Sequence, residues 1–327
     1  MTARCIPEDI TPVRPVAIPD EAVRSKLLEL LGLQAIPERV EYTVDSQEMA
    51  KDGMTVTRLH FANVLGEVVP GILVEPSVPE KRSLPGVVCL PGTGGTAERL
   101  THERFHRPSP TQGPLVGWAR ELARRGFVTL SLTLKGCEQR RGHVEQWERE
   151  AKLLAPFGRT LMGVQVDEAL RGAYMLAAWE GLHPQRIGLT GMSLGGNVTW
   201  YAMACATWIR AAVPVCGGVG SLIRAIQEGD PKRHSSYFYI PHLLRFFDHP
   251  RIVRTCIVPR PFMVIAPLRD EDMPSTGVDE LVRQVTPPYV AAGVAERFRV
   301  LRPDTNHVFL PEFFQELVEW FRTHLMP

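Results

Sequence analysis

Three positions in this chain have the residue types and spacing for nucleophilic catalysis: Ser193, an acid at 270 or 272, and His307. Ser193 stands in Gly191-Met192-Ser193-Leu194-Gly195, after the short apolar run Arg186-Ile187-Gly188-Leu189-Thr190. Gly196-Asn197-Val198-Thr199-Trp200-Tyr201-Ala202-Met203-Ala204 follows and reads as a helix. Gly-x-Ser-x-Gly between a strand and a helix is the pattern of a nucleophile elbow, a turn sharp enough to strain the serine and expose its oxygen. Glycine flanks it because a side chain there would strike the neighbouring strand or the start of the helix. The oxygen then lies at the carboxyl edge of a sheet, beside the positive end of a helix dipole. A free serine is a poor nucleophile, so a base and a group to orient that base must come from elsewhere in the chain.

With this elbow the chain order is serine, acid, histidine, which directs attention downstream. Residues 262–266 read as a strand and lead into Pro267-Leu268-Arg269-Asp270-Glu271-Asp272-Met273-Pro274. Residues 298–301 read as another and lead into Arg302-Pro303-Asp304-Thr305-Asn306-His307. Both loops leave the carboxyl end of an expected parallel strand, where open α/β sheets place their ligands. Of ten histidines, His307 is set apart by lying in a post-strand loop just before the final helix. His60, His102, His106, His143, His183, His234, His242, His249 and His324 read as surface or satisfied core residues. Asp270 precedes Met273-Pro274 at the Asp-x-x-apolar-Pro spacing that commonly follows the acid in such loops, and is favoured over the alternative acid Asp272. Glu271 and Asp304 read as solvated loop or helix-cap groups.

Acyl transfer also needs donors aimed at the developing oxyanion, each typically worth about 10²–10³ in rate. One is expected from the backbone N–H of Leu194, the other from Thr93 in the glycine-rich loop Pro91-Gly92-Thr93-Gly94-Gly95-Thr96. As a phosphate cradle that loop lacks both the Gly-Lys-Ser/Thr ending and the dinucleotide spacing. The reading therefore calls for no organic cofactor and no metal.

Such loops must hang from a sheet. Residues 54–61 alternate moderately, Leu65-Gly66-Glu67 turns, and 68–76 return, which reads as an antiparallel hairpin. Residues 77–85 form a mostly polar connector. The runs 86–90, 127–132, 186–190, 211–216, 262–266 and 298–301 are short and largely apolar, as strands covered on both faces should be. Helical patterns at 116–125, 160–180, after the elbow and at 311–324 lie between or beyond them. The alternation predicts an α/β fold, a mostly parallel sheet flanked by helices. Residues 1–50, proline-rich and then helical at 21–31, read as an N-terminal extension packed on the main domain of 51–327. Residues 221–256 interrupt the alternation with an aromatic, basic stretch too long for an ordinary connection. It reads as a small helical cap over the carboxyl edge or as a peripheral helix.

A chain of 327 residues with 37 Lys+Arg against 36 Asp+Glu offers no general attraction to nucleic acid or to an anionic membrane. Met1-Thr2-Ala3-Arg4-Cys5-Ile6-Pro7-Glu8-Asp9 lacks the apolar run of a signal peptide, and no stretch matches a membrane span, so a cytoplasmic location is expected. The six cysteines carry no paired spacing and read as reduced, mostly buried residues, not zinc ligands. A homo-oligomer is left open.

Taken in this order, the elbow, the 91–96 loop, the acid loop and His307 resemble the α/β-hydrolase superfamily from about residue 55 to the end. Within it the chain is most similar to the dienelactone-hydrolase-like and acetyl-xylan-esterase-like branch. That similarity rests on Val68-Val69-Pro70-Gly71, Leu90-Pro91-Gly92-Thr93-Gly94-Gly95, Tyr239-Ile240-Pro241, Leu243-Leu244-Arg245-Phe246-Phe247-Asp248 and Pro259-Arg260-Pro261. It departs in holding Ser193 where dienelactone hydrolases proper use cysteine. Leu90-Pro91 stands where many relatives have a histidine before the glycine, and Pro267-Leu268-Arg269 where relatives often have a glycine. The resemblance implies a serine hydrolase that cleaves a small-molecule carboxylic ester, a small acyl or acetyl ester, through an acyl-enzyme. Amide or peptide hydrolysis, acyl transfer with the same triad, and a non-catalytic binding module remain alternatives.

Overall fold

A computed structural model describes residues 16–33, 38–76, 83–107, 114–140, 144–230 and 232–326. Residues 1–15 of the proline-rich stretch, 77–82 of the polar connector and His143 lie outside the described residues.

Nine strands form one sheet: β1 (Tyr42–Met49), β2 (Thr55–Ala62), β3 (Val68–Glu75), β4 (Leu84–Leu90), β5 (Val128–Leu132), β6 (Leu182–Met192), β7 (Ala211–Val215), β8 (Phe262–Ile265) and β9 (Phe298–Leu301). Their order is β1-β2-β3-β5-β4-β6-β7-β8-β9. The hairpin β2–β3 is antiparallel, as are β1–β2 and β3–β5. From β5 to β9 every pairing is parallel. Strands β5, β7 and β8 are buried along their whole length; β7 and β8 are apolar throughout, while β5 interleaves Val and Leu with the buried hydroxyls of Thr129 and Ser131. Strand β1 is exposed throughout. It begins the sheet inside the 1–50 stretch, and its mixed polar sequence carries no burial signal.

The helices are α1 (Val23–Leu31), α2 (Ala97–Leu100), α3 (Trp118–Arg124), α4 (Val144–Leu154), α5 (Leu161–Ala177), α6 (Leu194–Cys205), α7 (Leu222–Glu228), α8 (Leu243–Phe246), α9 (His249–Ile252), α10 (Ser275–Ala291) and α11 (Pro311–Leu325). One apolar layer unites α1, α5, α6 and α10 on one side of the sheet, and a second unites α3 and α11 on the other. No element is expected at 275–291 from the sequence; the structure has α10 there, with Pro287 and Pro288 near its end, where the Pro288 carbonyl accepts from Ala292. Five cysteines, Cys89, Cys137, Cys205, Cys216 and Cys256, are free and buried.

Helix α6, which starts beside Ser193, is buried at every position. Its carboxyl end leaves backbone carbonyls without helical donors. Two guanidinium groups fill that need. Arg24 of α1 donates to the Ala204 carbonyl at 2.9 Å, and Arg260 donates to Met203 and Ala206 at 2.7 and 2.6 Å. Both also donate to the Cys256 carbonyl, at 2.8 and 2.7 Å. Positive charge at that end complements the helix dipole.

The stretch between β7 and β8 is a chain of short helices, α7 to α9, with a 3-10 turn at Ser236–Phe238. Its start is tied down by Asp248, which accepts from the Ser221 hydroxyl at 2.5 Å and the Leu222 N–H at 2.7 Å. Among the described residues no helix is long and apolar enough to cross a membrane.

Candidate active site

Ser193 has φ 56° and ψ −117°, a left-handed conformation costly for a residue with a side chain. Packing holds it there. A Cβ on Gly195 would lie 2.3 Å from the Leu90 carbonyl oxygen, and one on Gly191 would lie 2.5 Å from the Gly195 backbone. One on Gly196 would come within 2.7 Å of Gly217 Cα. The elbow is therefore wedged between the ends of β4 and β7, and only glycine permits that approach. The Ser193 N–H donates to the Val215 carbonyl at 2.9 Å, and the Ser193 carbonyl accepts from Asn197 N–H at 2.9 Å. The serine side remains half-buried while Leu194 is buried.

The acid and the histidine meet because their loops prolong the pairing of β8 with β9. Ala266, Leu268 and Arg269 donate backbone hydrogen bonds to Leu301, Pro303 and Thr305 at 2.9, 2.9 and 3.0 Å. Arg269 adds side-chain bonds to Asn306 Oδ1 and the Asp304 carbonyl. The result sets His307 Nδ1 at 2.8 Å from Asp270 Oδ1. Asp272 Oδ2 lies farther, at 3.5 Å, and its side chain is 25% exposed against 3% for Asp270. Asp270 is thus the carboxylate that holds the ring. Glu271 accepts from the His307 backbone N–H at 3.1 Å, and Asp304 pairs with Arg269 on the surface. Burial opposes charge on His307, but the hydrogen bond and charge of Asp270, with Asp272 and Glu271 near, outweigh it and raise the imidazole above its ordinary value.

The Pro91–Thr96 loop lies beside the serine. Gly92 comes close enough that a Cβ there would be 3.5 Å from Ser193 Cβ, and Thr93 stands exposed at the lip. Thr96 begins α2 by accepting from Arg99 N–H at 3.2 Å. Thr93 Oγ1 is 3.4 Å from the hydroxyl of Tyr237, on the 3-10 turn between β7 and β8. Burial raises that phenol to about 12 against the Thr93 contact, which lowers it. The hydroxyl therefore stays neutral, and either oxygen of the pair can donate.

Sequence reasoning missed Cys216, the residue after β7. Its thiol, one ring nitrogen of His307 and a carboxylate oxygen of Asp270 lie within 4.8 Å of one another. Sulfur, nitrogen and oxygen in one cluster could suit a borderline metal. Here each group has another partner, since His307 and Asp270 bond each other and Cys216 Sγ donates to the Val308 carbonyl at 3.5 Å. Burial pushes the thiol well above its usual range. Arg233 and His234, the latter read from sequence as a surface or satisfied core residue, contact the acid loop through Asp272. A post-strand position marks Cys216; no local pattern marks the other two.

No family model matches the sequence. YtaP of Bacillus subtilis (strain 168), a candidate hydrolase by name, is 27% identical over 285 residues, 87% of this chain and 92% of that protein. A candidate acetyl xylan esterase of Bacteroides fragilis NCTC 9343 superposes with a TM-score of 0.69 at 18% identity, covering 94% of this chain and 82% of its own. The fold is that of the α/β-hydrolases. A glucuronoyl esterase from Solibacter usitatus shares it with a TM-score of 0.67 at 14% identity, over 91% of each chain. In this α/β-hydrolase fold the elbow, the 91–96 loop, the acid loop and the histidine loop all leave the carboxyl ends of parallel strands, at one edge of the sheet.

Proposed function

We propose that the protein is a serine hydrolase of carboxylic esters, and that Ser193, His307 and Asp270 are its triad. The observation that carries this reading is the 2.8 Å Asp270–His307 pair on loops at the same sheet edge as a strained Ser193. Ser193 Oγ attacks the ester carbonyl carbon as a ring nitrogen of His307 takes its proton. Asp270, bonded to Nδ1, fixes the tautomer and stabilises the imidazolium that forms. The N–H groups of Leu194, at the start of α6, and Thr93 hold the oxyanion. Collapse expels the alcohol, protonated by His307, and leaves an acyl-enzyme. Water then repeats the sequence, losing its proton to His307, and frees the acid and Ser193. The esterase names of the two solved relatives support an ester over another acyl substrate, and a small-molecule ester is the substrate class proposed.

The test is Ser193→Ala with p-nitrophenyl acetate and with a fluorophosphonate probe. Turnover should fall by about 10⁴-fold or more. Labelling should vanish, and the far-ultraviolet dichroism should stay as in the parent. Turnover that survives the substitution sinks the mechanism.

A further inference from the structure

Asp272 is bound up with the base and with the segment between β7 and β8 at once. Its backbone N–H donates to Asp270 Oδ1 at 3.0 Å, the same oxygen that His307 uses. Its carboxylate turns one oxygen toward His307 Nδ1 at 3.5 Å and offers the other to Arg233 Nε at 3.2 Å. Its carbonyl lies 2.7 Å from His234 Nε2. A carbonyl can only accept, so His234 donates from Nε2, and in the neutral ring Nδ1 accepts from the Tyr239 hydroxyl at 2.7 Å. The His234 ring stacks on Phe238 with centroids 4.3 Å apart, which fixes its plane. Arg233 and His234 thus grip one residue of the acid loop from the side chain and the backbone together.

We propose that Asp272 is a positioning residue that tunes the proton affinity of His307, and that Arg233 sets the strength of that tuning from the neighbouring segment. This rests on the serine-hydrolase reading above. The charged or titratable groups facing His307 are few. Asp270, Glu271 and Asp272 come from the acid loop, and Cys216, a neutral buried thiol, comes from the end of β7. Arg233 bears on the ring through Asp272, while Asp304, on the ring's own loop, is exposed and paired with Arg269. A carboxylate at 3.5 Å favours the imidazolium; a guanidinium on that carboxylate counteracts it. The Arg233 side chain is 47% exposed, so as a bare surface ion pair it would contribute little to stability and nothing to the pH profile.

The two roles separate in the acid limb of kcat/KM, which reports the base in the free enzyme. With p-nitrophenyl acetate, Asp272→Asn should move that limb down by about half a unit to one unit. Arg233→Met, which keeps the stem and removes the charge, should move it up by a smaller amount. In Asp272→Asn/Arg233→Met the effect of the methionine should shrink to less than half. Plateau kcat should change by less than about tenfold in each, since Asp270 still holds the ring. Limbs that stay within about 0.2 unit of the parent, or that move the same way in both single variants, overturn the proposal. The hydrolase reading fails separately, through a Ser193→Ala protein that still turns over.

Discussion

At the elbow, Ser193 is held by backbone against backbone: glycines at 191, 195 and 196 let β4, β6, β7 and α6 approach within contact of one another. Across the site, Asp270 and His307 are held by hydrogen bonds between loops whose sequences need only reach the right length. The first region is rigid because nothing larger fits. The second is accurate because β8 and β9 continue to pair past their ends. Damage should differ accordingly, with chemistry lost alone on the loop side and chemistry lost with the fold on the elbow side.

The sharpest separation should come from Asp270→Asn, which keeps shape but removes the charge that orients the ring. A loss of about 10⁴-fold in kcat with an unchanged melting temperature is expected. Asp272→Asn in the same assay should lose less than about tenfold, and a reversal of that ranking would move the acid by two residues. Gly195→Ala comes next. Its methyl would meet the Leu90 carbonyl, so a cost on the order of 1–3 kcal/mol or more, read as a melting point several degrees lower, should accompany lost turnover. A stable, inactive Gly195→Ala protein would mean that the elbow is as soft as the loops.

The smallest effect concerns the junction of α6 with the segment that follows β7. His249, fully buried, bonds the Tyr201 hydroxyl at 2.9 Å, and burial holds its imidazole well below the ordinary range. Because the folded value is depressed, the unfolded chain takes up a proton first as pH falls. The contribution of His249 to stability should therefore be level above about pH 6.5 and decline below it, opposite in sign to that of the raised His307. Thermal melts at pH 7.5 and 5.5 would display this, and His249→Gln should lose part of the difference. An equal decline in both proteins would place the acid sensitivity elsewhere.

The same contrast explains what could be read from the sequence. The elbow and the 91–96 loop are legible because short-range backbone constraints demand glycine at fixed offsets, and the buried strands because two covered faces favour apolar runs. His307 is legible by its position after the last strand. The selection of Asp270 over Asp272 is not contained in the loop's own residues; it follows from the register in which 266–269 meet 301–305. Arg233 and His234 carried no mark either, since their partner lies about 40 residues away and ordinary basic residues look the same. Helix α10 lies where the sequence marks no element, and the sequence of β1, wholly exposed, carries no alternation that would set its bounds.

The two arginines at the carboxyl end of α6 also come to it from opposite sides of the chain. Synthesis delivers Arg24 first, then Ser193 and its helix, and only later Arg260 with the Cys256 carbonyl that both guanidiniums share. A nascent chain halted between 217 and 256 carries the elbow and the strand ends that wedge it, yet its helix ends on carbonyls with just one of their two arginine donors. Ser193 is written in the middle of the message, but the helix behind it is closed from both sides.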